Sequence, residues 1–291
     1  MEFISDYMRD DTYRHMLNEL TRDTFGIDFE SWVTKGYFEG DYIPYSFLDE
    51  GRIVSNVSAN RMKFMQNGSM RYYLQIGTVM TAEGYRKQGL AAKLMKHVIE
   101  EYEQECDGIY LFGNLSAFGF YQKMEFKVEN QYRYYVKDEF CHLYKAKDSF
   151  KPIKNMSDEI KKKYFDFVRN SVYHSSFEQI NKYGLQMFYT AGLDNVFYAD
   201  DIDCFIVLDQ SECVVIKSVL CKEKIALEDV VQRIELKNHK CRLGFTPHDS
   251  DMKMCISEVY DGGDDYRLFY RGKELESIVR DKLYFPDLSH A

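Results

Sequence analysis

The chain has 291 residues, room for one large domain or two of ordinary size, and its 45% hydrophobic, 16% aromatic and 29% charged residues are those of a folded globular protein. A net charge of −9, with no Lys/Arg block, argues against nucleic-acid binding. No run approaches the ~20 apolar residues of a membrane span, residues 1–6 lack the pattern of a signal peptide, and the 7 scattered cysteines read as reduced thiols, so a cytoplasmic location is expected.

Met8, Tyr13, Met16, Leu17, Leu20 and Phe25 recur at helical spacing and predict one or two early helices. An aromatic loop follows, with Phe29, Trp32, Tyr37, Phe38 and Tyr42. Strands are then expected over 42–48, 53–65 and 70–81. Asp49-Glu50-Gly51 and Gln66-Asn67-Gly68 separate them, and such residues suit tight hairpin turns, so the three form an antiparallel meander. Next the period changes. Leu90, Leu94, Met95, Val98, Ile99 and Tyr102 mark one face of a helix running to about residue 105, ended by Cys106-Asp107-Gly108. A short buried strand over 109–112 comes at once. Strand, crossover helix and strand imply one parallel pairing inside an otherwise antiparallel sheet. A short helix over 116–124 and an alternating strand over 126–136 complete this half.

Around 150–155 the chain starts again. Helices over 158–172 and 176–190 precede strands over 196–199, 204–208 and 213–220, then a helix over 226–236 and a strand over 241–245. The order repeats that of the first half with little residue identity, which divides the chain into 1–148 and 149–291. The tail, 284–291, is apolar enough to dock as a terminal strand.

Chemistry concentrates in residues 76–92. A strand ends near Thr81, a polar loop follows, and Arg86-Lys87-Gln88-Gly89-Leu90-Ala91-Ala92 passes directly into the long helix. The first turn of a helix leaves N–H groups without intrahelical partners, and the macrodipole adds positive charge there. Gly89, Ala91 and Ala92 let the backbone approach a bulky anion, and Arg86 and Lys87 add charge at the rim. This reads as a pyrophosphate cradle.

The spacing Arg86-x-x-Gly89-x-Ala91 after a strand resembles the acetyl-CoA motif of the GNAT N-acetyltransferase superfamily. A second segment, Asn114 to Phe126, resembles the family's Asn-x-x-Ala-x-x-x-Tyr-x-Lys-x-Gly-Phe signature through Asn114, Ala117, Tyr121, Lys123 and Phe126, whereas Glu125 stands where glycine is usual. The resemblance covers about residues 8–137. It implies an α/β fold with a mixed sheet that splays between its fourth and fifth strands, and acetyl-CoA as co-substrate. Main-chain groups of Val79, Met80 and Thr81 would run along the pantetheine, with Val79 or Met80 polarising the carbonyl. Those of Lys87, Gln88, Gly89, Leu90, Ala91 and Ala92 would hold the pyrophosphate. Tyr121 would act as general acid toward the leaving thiolate, against the plainer reading of a buried tyrosine, and Asn114 would bond cofactor or substrate, against an ordinary strand-end turn.

Relatives often place a glutamate on the fourth strand as base. Here Tyr72-Tyr73-Leu74-Gln75-Ile76 has no carboxylate, which leaves a water relay, Asp28 or Glu30. The aromatic loop either walls an acceptor pocket, holding an ammonium against ring faces, or caps the core. Asn56 and Ser58 face either acceptor or solvent. His15, His97, His142, His174, His239, His248 and His290 show no ligand spacing, and no metal site is expected. In the second half the counterpart stretch, Val215 to Ala226, has no glycine in its turn and carries Glu223. This copy is therefore expected to be degenerate, walling the acceptor site or forming a homodimer surface. The expected function is N-acetyl transfer from acetyl-CoA to a primary amine of a small molecule or peptide. The alternative is a non-catalytic acyl-CoA sensor or scaffold.

Overall fold

A computed structural model describes residues 1–141, 149–211, 213–236 and 240–291. Strand β1 (Glu2–Ser5) leads into helix α1 (Asp11–Phe25). Asp10 caps α1 by accepting from the N–H groups of Thr12 and Tyr13, and Gly26 closes it in the left-handed conformation. After the short α2 (Glu30–Thr34) comes the predicted meander, β2 (Tyr42–Asp49), β3 (Arg52–Gln66) and β4 (Ser69–Thr81). Its two turns carry positive φ at Glu50-Gly51 and Asn67-Gly68, as hairpins of this kind require. Helix α3 (Leu90–Tyr102) crosses to β5 (Gly108–Gly113), which pairs in parallel with β4. A 3-10 turn precedes α4 (Phe118–Gln122), and β6 (Lys127–Glu129), β7 (Gln131–Val136) and α5 (Asp138–Cys141) follow.

The second half runs β8 (Lys151–Pro152), α6 (Asp158–Asn170), β9 (Ser175–Gln179), α7 (Tyr183–Thr190), β10 (Val196–Ala199), β11 (Cys204–Asp209), β12 (Val214–Cys221), α8 (Leu227–Val231), β13 (Cys241–Leu243), β14 (Thr246–Pro247), β15 (Cys255–Tyr260), β16 (Arg267–Arg271) and α9 (Ser277–Arg280). The stretch expected as a helix over 176–190 splits into β9 and α7. Ser175 and Phe177 pair with β14, and Phe177, Glu178 and Gln179 pair with β3, so sheet hydrogen bonds win over helical propensity there. The tail, 284–291, docks as expected but as a buried 3-10 turn, Asp287–Ser289, and not as a strand.

Two mixed sheets result. The first has the order β1-β2-β3-β4-β5-β16-β6, with β9 added to one end of β3, and the second has the order β15-β7-β13-β12-β11-β10-β8. Each is a meander followed by one parallel pairing, β4 with β5 and β12 with β13. Each also borrows a strand. The alternating run over 126–136 breaks at Asn130: β6 stays in the first sheet, while β7 enters the second between β13 and β15. In return β16 enters the first sheet between β5 and β6. The two halves are thus interleaved across residue 148.

Helix α3 covers one face of the first sheet, with Leu94, Met95 and Val98 against Val57, Ala59, Leu74 and Ile76. Residues alternate across a strand, so Tyr73 and Tyr110 face the other way and pack with Phe285 of the tail. The second sheet is similarly sandwiched, by α8 on one side and by α6 with α7 on the other. No helix among the described residues is long and apolar enough to cross a membrane.

Candidate active site

β4 pairs with β5 only over Tyr73–Gln75. Beyond that the strands part, and the edge of β4 that carries Val79, Met80 and Thr81 has no strand partner on the β5 side among the described residues. A bulge sharpens the divergence. Ser58 pairs with Gly77 and Asn56 with Met80, so Thr78 and Val79 together oppose Val57. Thr78 sits at φ 42°, a conformation a β-branched residue adopts only when its surroundings enforce it. Here the enforcement is a buried polar network. The Asn56 amide donates to the Thr78 carbonyl at 2.9 Å, and the Thr78 hydroxyl lies 2.7 Å from both Ser58 Oγ and the Tyr42 hydroxyl. Ser46 Oγ donates to Asn56 Oδ1, and the Tyr7 hydroxyl lies 2.6 Å from Ser46 Oγ. Asn56 and Ser58 are fully buried and face neither solvent nor an open pocket. Their alternation along β3 was visible in the sequence, but their partner, the bulge, was not.

The loop after β4 carries Lys87 at φ 62° and Gly89 at φ 79°, and the helix begins at Leu90. The first turn of α3 holds neither an acidic residue nor a side-chain cap. Lys93 N–H is satisfied by the Gly89 carbonyl, and the N–H groups before it have no intrahelical acceptor. Arg86, Lys87, Gln88 and Gly89 are exposed, and no heavy atom lies within 4 Å of where a Gly89 side chain would start. Arg86 also donates to the Thr81 carbonyl at 3.1 Å, tying the rim of the loop to the end of β4. Leu90 is buried in the core and Ala91 and Ala92 are half-buried. The arrangement offers unpaired donors, dipole and two cations to an anion, with nothing in the way.

Tyr121, on α4, is 7% exposed, and burial alone pushes its hydroxyl up to about 12, with no hydrogen-bonding group contributing. Its ring is gripped on several sides: Phe269 of the exchanged β16 at 4.8 Å between centroids, Phe126 at 6.1 Å, Phe120 at 5.1 Å and the bare Cα of Gly113 at the end of β5. Tyr121 belongs to the apolar cluster that also packs against Val79. Glu125 lies at φ 63°, so the left-handed turn a glycine would favour is formed without one. Asn114 is held by protein at both ends of its amide, Oδ1 accepting from Ser116 N–H at 2.8 Å and Nδ2 donating to Asp265 at 2.7 Å.

Glu30 receives a two-pronged hydrogen bond from the buried Arg14, both contacts at 3.0 Å, which holds its carboxyl below the usual range and charged. Asp28 bonds Arg22 and the Glu30 N–H. Both carboxylates are therefore occupied in fixing the α1–α2 corner. Phe29, Trp32, Phe38 and Tyr42 are buried together with Phe188 of α7 against them, and Trp32 Nε1 donates to the Gly184 carbonyl at 2.7 Å. These rings form core that joins the two halves. At the open end of β4, Gly77 faces the tail: a methyl group there would fall 2.7 Å from the main-chain oxygen of Ala291. Ala291 N–H donates to Gln75, and His290 stacks on Phe112 of β5 at 4.0 Å. Among the described residues no three His, Cys, Asp or Glu converge as a metal site; His142 and His239 lie outside them.

Residues 5–126 match the model of the Acetyltransferase (GNAT) family. No curated protein matches the chain. Among solved structures it is similar to a GCN5-related N-acetyltransferase from Kribbella flavida, at 15% identity over 93% of this chain and 72% of that one, with a TM-score of 0.55. It is similar also to a conserved protein of Enterococcus faecalis described as a probable N-acyltransferase, at 14% identity over 95% and 73%, TM-score 0.57. A third is Eis1 from Mycobacterium abscessus, at 11% identity over 92% and 72%, TM-score 0.53. At such identities the likeness is one of fold, and it extends across both halves.

Proposed function

We propose that this chain, with its GNAT acetyltransferase domain over residues 5–126, transfers an acetyl group from acetyl-CoA to the primary amine of a small molecule or peptide by direct attack. The observation that carries this reading is the open β4 edge leading into an unobstructed, cationic helix start at Gly89, with a buried neutral tyrosine in the apolar cluster that also packs against Val79.

The main chain of Lys87 to Ala92 would bind the pyrophosphate, Arg86 and Lys87 would shield its charge, and the free edge at Val79 to Thr81 would align the pantetheine and thioester. The amine nitrogen attacks the thioester carbonyl, the N–C bond forms, and the C–S bond breaks. Burial keeps Tyr121 protonated at any physiological pH. A phenol of such high pKa does not surrender its proton outright to a thiolate, whose ordinary pKa is ~8.5. Its role is to donate a hydrogen bond to sulfur as charge develops there, while the ammonium formed on attack supplies the net proton through solvent. Glu30 and Asp28 are bound to arginines, which favours a water relay over either carboxylate as the route off the nitrogen. In the second half, Cys221 to Ala226 offers no glycine and no cradle, which supports a structural role for that copy.

The test is acetyl-CoA consumption over a panel of primary amines, comparing wild type with Tyr121→Phe. Turnover in wild type and a large loss in the variant at unchanged CoA affinity are expected. Tight CoA binding with no turnover on any amine would instead favour a sensor.

A further inference from the structure

The second sheet holds a pair of nucleophiles that acetyl transfer does not use. Cys204 opens β11 and Cys221 closes β12, and the two stand directly opposite each other on the last rung of that antiparallel pair. All the cysteines are free thiols, and among the described residues no other two share a rung. Directly opposed residues of an antiparallel pair have Cα atoms about 4.5–5.5 Å apart, inside the span of about 4.4–6.8 Å that disulfides bridge. Both side chains enter the same apolar cluster with α8, so they point to one face of the sheet. Their Cβ atoms, about 4.5–5.5 Å apart in such pairs, must close to about 3.5–4.5 Å for a bridge.

The place of the rung lets it move that far. Asp203 before Cys204 and Lys222 after Cys221 are exposed and lie outside the ladder, and ladder ends open before their middles. Both thiols are fully buried while the rung is closed, so a reagent meets them when it opens. The two are chemically unequal. A hydrogen bond from the Cys204 thiol, with His174 adding to it, holds the Cys221 thiol below its ordinary range against the opposing effect of burial. Burial pushes Cys204 up, and the same hydrogen bond adds to this. The Cys204 S–H also reaches the Phe205 carbonyl at 3.4 Å, so its donor is shared. A thiol held near neutral pH is the better attacking group in disulfide exchange.

We infer that Cys204 and Cys221 form a reversible disulfide by exchange with a low-molecular-weight disulfide, Cys221 attacking first and Cys204 resolving. The Cys221 thiolate attacks one sulfur of RSSR, the new S–S bond forms, the old one breaks, and RS⁻ leaves. Cys204 gives its proton to that thiolate, attacks Cys221 Sγ and expels the second RS⁻, which takes a proton from water. The protein is oxidised by two electrons, and RSSR is reduced to two RSH. Excess thiol runs the same steps backwards. The site lies in the other sheet from Gly89 and stands whether or not acetyl is transferred.

The probe is glutathione disulfide, added to the full native chain. Remaining thiols are then blocked in denaturant and the digested protein is mapped by mass spectrometry, with fragment ions separating Cys204 from Cys213. A Cys204–Cys221 link should form and should disappear on treatment with dithiothreitol. Cys204→Ala should hold glutathione on Cys221 as a mixed disulfide, and Cys221→Ala should slow modification of Cys204 by about tenfold or more. Melting curves show whether both variants fold. If either does not, wild type alone decides, since brief treatment with iodoacetamide should label Cys221 before Cys204. Retention of both thiols after the other cysteines have reacted, a link between a different pair, a link formed only in urea, or labelling of Cys204 first would overturn the assignment.

Discussion

Replacing Gly113 by alanine puts a methyl group 2.9 Å from Tyr121 Cε2, 3.0 Å from Leu111 Cδ1 and 3.1 Å from Phe269 Cε2. Carbon atoms pack at about 3.5–4.0 Å, so with Leu111 and Phe269 crowded as well, the tyrosine ring must retreat by roughly half an ångström. The backbone at Gly113 lies outside the left-handed region, so the methyl itself is the whole perturbation. Overpacking of this kind costs about 1–3 kcal/mol. Cε2 neighbours the carbon bearing the hydroxyl, so the hydroxyl moves too. A 1 Å misplacement can cost about a hundredfold in rate, and half of that suggests a fall in kcat of about tenfold. Steady-state kinetics with saturating amine, alongside CoA titration calorimetry and thermal melts, separates the effects: kcat should drop while CoA affinity holds. Phe269→Leu in the same chain removes the third crowded atom and should recover part of the loss, with a coupling of about 0.5–3 kcal/mol. An unchanged kcat in the presence of the expected destabilisation would refute the idea that packing against Gly113 sets where the Tyr121 hydroxyl sits.

Gly89→Glu should abolish CoA binding by calorimetry; with no neighbour to clash, only the left-handed backbone opposes the side chain, at about 1 kcal/mol, so the melting temperature should fall by only about 2 °C, and retained affinity would dispose of the cradle. Glu125→Gly relieves a left-handed glutamate and should stabilise the fold by about 1 kcal/mol, or about 2 °C in a thermal melt; a loss of stability would mean that the contact of Glu125 with Arg271 at 3.6 Å outweighs the strain. Burial holds His290 down to about 4, the nearby Asp287 only partly opposing it. Its folded pKa lies below the unfolded value of about 6.5, so the unfolded chain takes up the proton first as pH falls. Stability is full above about pH 6.5 and declines as pH drops through 4, by about 3 kcal/mol from this group. Urea midpoints between pH 7 and 4 should therefore fall less steeply in His290→Phe than in wild type, and parallel profiles would exclude this residue as the cause.

The meander, α3 and β5 were legible because each follows a local rule: Asn-Gly and Glu-Gly at hairpin turns, a 3.6-residue apolar period, and a glycine before the helix. The open helix start at Gly89 was legible for the same reason, since it is built from consecutive residues. What escaped the sequence is long-range. Nothing near Asn130 signals that β6 and β7 part company, because both sheets demand the same alternating pattern. The wall that holds Tyr121 includes Phe269, nearly 150 positions away, and the partners of Asn56 and Ser58 come together only through a bulge. The aromatic loop was ambiguous between pocket and core until Phe188 and the Gly184 carbonyl closed over it.

The exchange of β7 for β16 also orders events during synthesis. At ~5–20 residues per second, Phe269 leaves the ribosome roughly ten to thirty seconds after Gly113, and until then β5 and β6 have no strand between them. A nascent chain halted at midpoint would already own the loop that leads into α3 yet expose a raw sheet edge and an unbraced Tyr121. The packing around Tyr121 is therefore completed only in the last part of translation.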